Sequence, residues 1–221
     1  MRFFTFTRFM RQILRKKPAN LEWIQKQGLL AVKLAQIFAL RPDIIGEEKC
    51  QQLQILYQHA TSIPSENLFK TIEKKAPENF LNNFKHIEEE PLAAASVGQV
   101  HKAKLNSGEE VVIKFIKSAN AESFEKEVKK MKRWLRILLF FTPKLRKVGN
   151  PMALLNHVSD YTLRELDLTN EIKGANELKK IKNEISNDFS MELLRFPKYY
   201  DNLSNKDILV SEYISGKSLE E

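Results

Sequence analysis

The chain has 221 residues, 43% of them hydrophobic, with only seven glycines and a formal net charge of +8. That is enough apolar material for a packed core, so wholesale disorder is excluded, and the scarcity of glycine together with long periodic stretches favours a mainly helical protein. A single cysteine, Cys50, excludes an internal disulfide framework, and the four histidines, His59, His86, His101 and His157, lack a metal-ligand spacing.

The charge is segregated. Residues 1–33 hold eight Lys/Arg against Glu22 alone, and residues 126–147 hold nine against Glu127 alone, which leaves the remainder net acidic. Such segregation points to contact with an anionic surface, either membrane or nucleic acid. The longest apolar run, Ile137 to Phe141, is far too short to span a bilayer. Arginines run through the apolar N-terminal stretch, which argues against a cleaved secretory signal.

In chain order, residues 3–17 form a candidate amphipathic helix. Phe3, Phe6, Phe9, Met10, Ile13 and Leu14 share one arc, and Arg8, Arg11 and Arg15 lie opposite. Two readings stay open: a terminal helix docked on its own domain, or an interfacial membrane helix. Residues 20–60 read as helical with a break at Pro42, where Asp43 is placed to cap the next helix. Residues 65–85 read as a further helix opened by Ser65 and interrupted near Pro77.

The pattern changes near residue 86. "SVGQVHKAKL" alternates in part, "NSG" at Asn106 to Gly108 signals a turn, and "EEVVIKFIK" alternates beyond it, so a β-hairpin is expected. Helical signals return at 120–141 and 151–185. "RFPKYYDNLSNKDILVSEYISG" then reads as two short strands joined by a polar turn. Helices, hairpin, helices, hairpin make an α+β domain with helices packed on a small antiparallel sheet.

Lys114 sits mid-strand in "VVIK", where an ammonium either faces solvent or needs an acidic partner. "ELDLTNE" supplies Glu165, Asp167 and Glu171. Read as one helix, it points Glu165 and Glu171 about 120° apart and so toward different partners. A strand lysine paired with a helix glutamate is the arrangement kinases use to hold ATP phosphates. "KLAQ" sets Lys33 and Gln36 on one helical face; by itself this is a solvated polar face.

Taken in order, "KLAQIFALRPDII", "PLAAASVGQVHKA", "VVIK", "ELDLTNE" and "LVSEYISG" resemble the UbiB-like (ABC1/AarF) atypical kinase family of ubiquinone (coenzyme Q) biosynthesis, over about residues 28–217. The resemblance implies a protein-kinase-like N-lobe carrying an N-terminal helical KxGQ-type extension. The expected segments are a basic amphipathic stretch at 1–18, the extension at 19–85, the N-lobe at 86–214, and the start of a C-lobe connection at 215–221.

The resemblance also implies roles. Lys114 is the phosphate-binding lysine and Glu171 its ion-pair partner. Ala93, Ala94, Ala95, Ser96 and Val97 replace the glycine-rich lid. Ser211 is the gatekeeper, and Glu212, Tyr213 and Ile214 form the hinge that receives adenine. Lys33 and Gln36 belong to the extension, which folds over the site where a protein substrate would dock; Glu165, with Asp167 beside it, anchors it there. Alanine for glycine restricts φ and implies a tighter, more helical loop with altered ATP/ADP preference.

Two positions depart from the family pattern. Ala35 replaces the KxGQ glycine, and Gly174 interrupts the run after Glu171. The family's catalytic-loop Asp and Asn and its Mg²⁺-holding Asp belong to a second lobe, and no HRD-like or DFG-like string occurs in these 221 residues.

The expectation is therefore the N-terminal portion of an ATP-dependent atypical kinase/ATPase, a truncated or split product. It would bind ATP or ADP without catalysing alone and would carry no metal ligands of its own. It would sit peripherally on the cytoplasmic side of the inner membrane, with a separately encoded C-lobe or ubiquinone-biosynthesis proteins as partners. Nucleic acid is not expected as a partner, since no aromatic-basic interleaving supports it. The alternative is a non-enzymatic, pseudokinase-like membrane or partner-binding module, or an inactive truncated remnant.

Overall fold

The computed structural model describes residues 2–58, 62–117, 121–141, 150–185 and 194–216; the basic run at 144–147 and the last five residues lie outside this set. The chain divides into two compact units. The first comprises Met1–Thr61, Ala95–Val97 and Ser118–Leu163, and the second Ser62–Ala94, Gly98–Lys117 and Arg164–Glu221.

The first unit is helical. It contains α1 (Phe3–Leu14), α2 (Leu21–Gln25), α3 (Leu29–Phe38), α4 (Pro42–Ile45), α5 (Glu47–Gln58), α7 (Ala121–Phe141) and most of α8 (Pro151–Glu165). α3 is its hub, packing against α1, α2, α4, α5 and α7. Gly28 opens α3 at φ 98°, a left-handed conformation that a side chain would resist.

The apolar arc of α1 is turned inward. Phe6 is 2% exposed, Phe9 and Ile13 are 0% exposed, and Phe3 packs its ring 5.2 Å from that of Trp134 on α7. Met10 and Leu14 border an apolar cavity with Phe38, Leu135, Leu138 and Leu154. Of the two readings for this helix, docking on its own unit is the one observed. On the polar side, the Arg8 guanidinium lies 4.4 Å over the Trp23 ring. Asp43 does not cap α4; both of its carboxylate oxygens accept from the Arg41 guanidinium, at 2.7 and 2.6 Å.

The second unit is built on a five-stranded antiparallel sheet. Its strands are β1 (Phe84–Ile87), β2 (Ala93–Ala94), β3 (Gly98–Leu105), β4 (Glu110–Ile116) and β5 (Ile208–Glu212). The order is β1-β3-β4-β5, with β2 also paired to β3. The β3–β4 hairpin closes through Gly108 at φ 98°, the left-handed position its turn demands. One sheet face forms the core. Ala103, Leu105, Val111, Ile113, Phe115, Ile208 and Val210 pack there with Leu68 and Ile72 of α6 (Leu68–Lys75), with Phe80 and with Leu203.

Several elements differ from the sequence reading. Helix 65–85 shrinks to α6 flanked by 3-10 turns at Ser65–Asn67 and Phe80–Asn83. Asn79, at φ 56°, turns the chain from the helix into β1. The final hairpin is one strand, β5. Opposite it, residues 195–200 form a single bridge, Tyr199 to Ser211, because Pro197 has no N–H to give and a 3-10 turn intervenes at Asp201–Leu203. The stretch at 151–185 breaks at Leu166 to Leu168 into α8 and α9 (Thr169–Ile185), since Leu166 and Leu168 are both drawn into the interior.

Candidate functional site

The sheet has a second face, and Lys114 is on it. Antiparallel pairing aligns Ala93 with Val100, Val100 with Lys114, and Lys114 with Leu209. Side chains at directly paired positions share a face, so these four residues form one row across four strands. Val112 and Ser211 form the next row on the same face. Gln99, His101 and Phe115 point the other way, into the core.

Lys114 forms an ion pair with Glu171. The glutamate sits in the first turn of α9, where the positive end of the helix favours an anion. Two contacts fix that turn. Asp167 Oδ1 accepts from the Thr169 N–H at 3.1 Å and from its hydroxyl at 2.7 Å, and the Leu168 N–H donates to the Lys206 carbonyl at 2.9 Å. Burial pushes the Tyr199 phenol pKa upward, and the Glu171 charge adds to the effect. The pair is only half enclosed, with side-chain exposures of 34% for Lys114 and 43% for Glu171.

The acidic run is not one helix. Glu165 ends α8, Asp167 lies in the connection, and Glu171 lies in the first turn of α9, so the angle inferred from a continuous helix does not apply. The alanine segment also departs from expectation. Ala93 and Ala94 are extended and laddered to β3 rather than helical, because strand pairing outweighs the helix propensity of alanine. Ala95, Ser96 and Val97 follow without regular structure and group with the first unit.

The proposed hinge is held firmly. The Glu212 carboxylate accepts from Arg195 and from the Lys198 N–H, and its own N–H donates to the Lys198 carbonyl at 2.8 Å. The Tyr213 N–H reaches the Glu110 carbonyl at 3.1 Å, and Ile214 is partly exposed. In the first unit, the Lys33 ammonium lies 5.7 Å from the Tyr161 ring centroid. Gln36 is buried: its side-chain amide donates to the Leu56 carbonyl at 3.0 Å, and its main-chain carbonyl accepts from the Tyr57 hydroxyl at 2.8 Å. Ala35 is fully buried in the same helix. Among the described residues no three His, Cys, Asp or Glu side chains converge as a metal-binding group, and no helix is long and apolar enough to cross a membrane.

Sequence reasoning passed over three residues. A β-carbon on Gly98 would lie 3.1 Å from the Phe115 carbonyl oxygen and 3.8 Å from Lys114 Cε, so its bare backbone leaves room beside the lysine stem. Gln99 and His101 are buried polar residues on the core face. The alternation that puts Ala103 and Leu105 in the core puts them there too.

A family profile described as "ABC1 atypical kinase-like domain" matches residues 55–221. The chain belongs to this family. Among curated relatives, the "Probable protein kinase UbiB" of Pseudomonas aeruginosa (strain PAO1) is 32% identical over 196 residues, covering 87% of this chain and 35% of the relative. The protein of the same name from Vibrio atlanticus is 30% identical over 194 residues, covering 87% and 34%. The ABC1-family chain therefore spans about a third of the length of the curated relatives it matches. Among solved structures it resembles Rv3197 of Mycobacterium tuberculosis, determined as an erythromycin complex. The TM-score is 0.52 at 22% identity, over 83% of this chain and 43% of the other. That likeness concerns the fold, and it agrees with the α+β, kinase-like class expected from the sequence.

Proposed function

We propose that this ABC1-family chain grips the phosphates of an adenine nucleotide through Lys114, steadied by Glu171, within an atypical kinase or ATPase that supports ubiquinone biosynthesis. One observation carries the reading: a strand lysine on the sheet face opposite the core, ion-paired to the first turn of a helix that follows. This arrangement leaves the ammonium in a half-enclosed place from which it can reach an anion. The name the curated relatives carry, "Probable protein kinase UbiB", supports the kinase part of this reading, and the ubiquinone part rests on the family resemblance. Ser211 and the strand end at Glu212 to Ile214 are the proposed adenine side, and Mg²⁺ enters as the nucleotide's counter-ion, with no ligand assigned.

The test is equilibrium binding of ADP and ATP to the full chain and to its Lys114→Met variant. A charge-assisted hydrogen bond is worth roughly 1.5–3 kcal/mol, so affinity should fall by about one to two orders of magnitude. Unchanged affinity in a variant that melts like the parent rejects the reading.

Peripheral attachment to the inner membrane belongs to the same proposal. The basic segments support it, but α1 does not, because Phe6, Phe9 and Ile13 at the centre of its apolar arc are buried. Among the described residues of the first unit, the most exposed apolar groups are instead Phe4, Phe140 and Phe141. Co-sedimentation with anionic vesicles that survives Phe140→Ser and Phe141→Ser would remove these two from the role.

A further inference from the structure

Among the described residues, the core of the second unit is apolar except for two neighbours on β3. Gln99 is 1% exposed and His101 0% exposed, each in a place that would suit a hydrocarbon side chain. Burying such groups is costly unless every bond is made. The Ile63 N–H donates to Gln99 Oε1 at 2.7 Å, Gln99 Nε2 lies 2.8 Å from His101 Nε2, and His101 Nδ1 lies 2.7 Å from the Glu88 carbonyl oxygen.

The direction of this relay is forced. A carbonyl can only accept, so His101 carries its proton on Nδ1 and Nε2 is left as an acceptor. Gln99 must then present its NH₂ to the imidazole, and its oxygen is already taken by Ile63. A second proton on His101 would set donor against donor, and flipping the Gln99 amide would break the bond to Ile63.

The relay reaches the turn that feeds the alanine strand. Glu88 is held on both sides, by His101 at its carbonyl and by the Lys102 carbonyl at its N–H, at 2.9 Å. Four residues later the Leu92 N–H donates to the Val100 carbonyl at 2.8 Å, and Ala93 pairs with Val100, which in turn pairs with Lys114. Because side chains alternate along a strand, a slip of one residue in β2 would put Ala94 where Ala93 stands.

We propose that Gln99 and His101 are positioning residues that clamp the Glu88–Leu92 turn and thereby set the register of the alanine strand in the row containing Lys114. The significance of that row rests on the nucleotide reading above; the clamp itself does not. The acidic groups acting on His101 are Glu88 and Glu90 of the turn. From β4 it faces the Phe115 ring, stacked at 5.7 Å, and from the described residues before α6 it is reached by the Ile63 amide through Gln99. Burial outweighs those carboxylates and holds the imidazole neutral.

Hydrogen exchange on the full chain tests this. At pH 7.5, His101→Leu and Gln99→Met should each speed exchange across residues 92–95 at least tenfold relative to the β3–β4 hairpin. His101→Asn keeps a donor near the Nδ1 position and should restore slow exchange. Once intrinsic rates are corrected, the parent should show extra opening of the same stretch at acid pH, and His101→Asn should not. Exchange at 92–95 within twofold of the parent in whichever of His101→Leu and Gln99→Met folds, or no rescue by His101→Asn, overturns the proposal. Neither readout uses nucleotide, so an unaltered ADP affinity in Lys114→Met would sink the nucleotide reading while leaving the clamp standing.

Discussion

Lys114 and Glu171 form an ion pair, and the decisive question is how much stability they supply to each other. Unit charges about 4 Å apart interact by about 1 kcal/mol in water and about 4 kcal/mol at an effective dielectric near 20. With side-chain exposures of 34% and 43%, the pair belongs toward the aqueous end. Double-mutant cycles on exposed pairs return about 0.2–1 kcal/mol. Urea unfolding of the parent, Lys114→Met, Glu171→Gln and the double variant should therefore give a coupling energy below about 1 kcal/mol at 0.15 M salt, shrinking further at 0.5 M. A lysine held that loosely can share its ammonium with a phosphate at little cost. If the coupling instead exceeds about 2 kcal/mol and ignores salt, the pair behaves as a buried structural staple, and the argument that Lys114 is poised for a ligand fails.

Gly98→Ala should destabilise by roughly 1–3 kcal/mol, since the new methyl meets the Phe115 carbonyl oxygen at 3.1 Å and backbone yields poorly; a thermal melt equal to the parent's would show that β3 and β4 can part. Phe9→Ala should cost about 3–5 kcal/mol while Phe4→Ala stays within about 0.5 kcal/mol, because only the former is buried; chemical denaturation of the two variants would expose any reversal. The His101 pKa lies below the ordinary imidazole value of 6.5, chiefly through burial. The unfolded chain therefore takes up a proton that the folded one refuses. Stability from this residue is complete above about pH 6.5 and declines below it, by at most about 1.4 kcal/mol per pH unit, down to the folded-state pKa. Urea midpoints that do not differ between parent and His101→Asn across that range would contradict this.

What the sequence reveals depends on how local the cause is. The β3–β4 hairpin is legible because alternation and Asn106-Ser107-Gly108 specify strand, turn and strand within twenty residues. Helix α1 is legible by period, but its partner is not: the same arc of Phe6, Phe9 and Ile13 would suit a bilayer or a neighbouring helix, and only tertiary packing on α3 and α7 chooses. β1 has four residues and β2 two, too short for any period to register, and the alanines of β2 prefer helix until β3 supplies a ladder. The Lys114 contact with Glu171 spans 57 positions, and no spacing rule gives it; the kinase resemblance alone puts the two residues together. Gln99 and His101 were within reach, since two polar residues on the core parity of a strand imply a buried network.

The row across the sheet also bears on the alanines. Neighbouring strands lie about 4.8 Å apart, so with one strand between them the backbone at Ala93 is about 10 Å from that at Lys114. A lysine side chain and one phosphate can bridge most of that gap. A glycine-rich loop meets phosphates with unspent backbone N–H groups. Here the ladder with Gln99 and Val100 commits part of the backbone at Ala93 and Ala94 to the sheet. Glycine at these positions would raise the entropy cost of holding β2 and loosen that ladder. On the proposed nucleotide reading, the alanines favour a site in which the phosphate grip falls mainly on Lys114, with the neighbouring strand serving as a wall rather than a cradle.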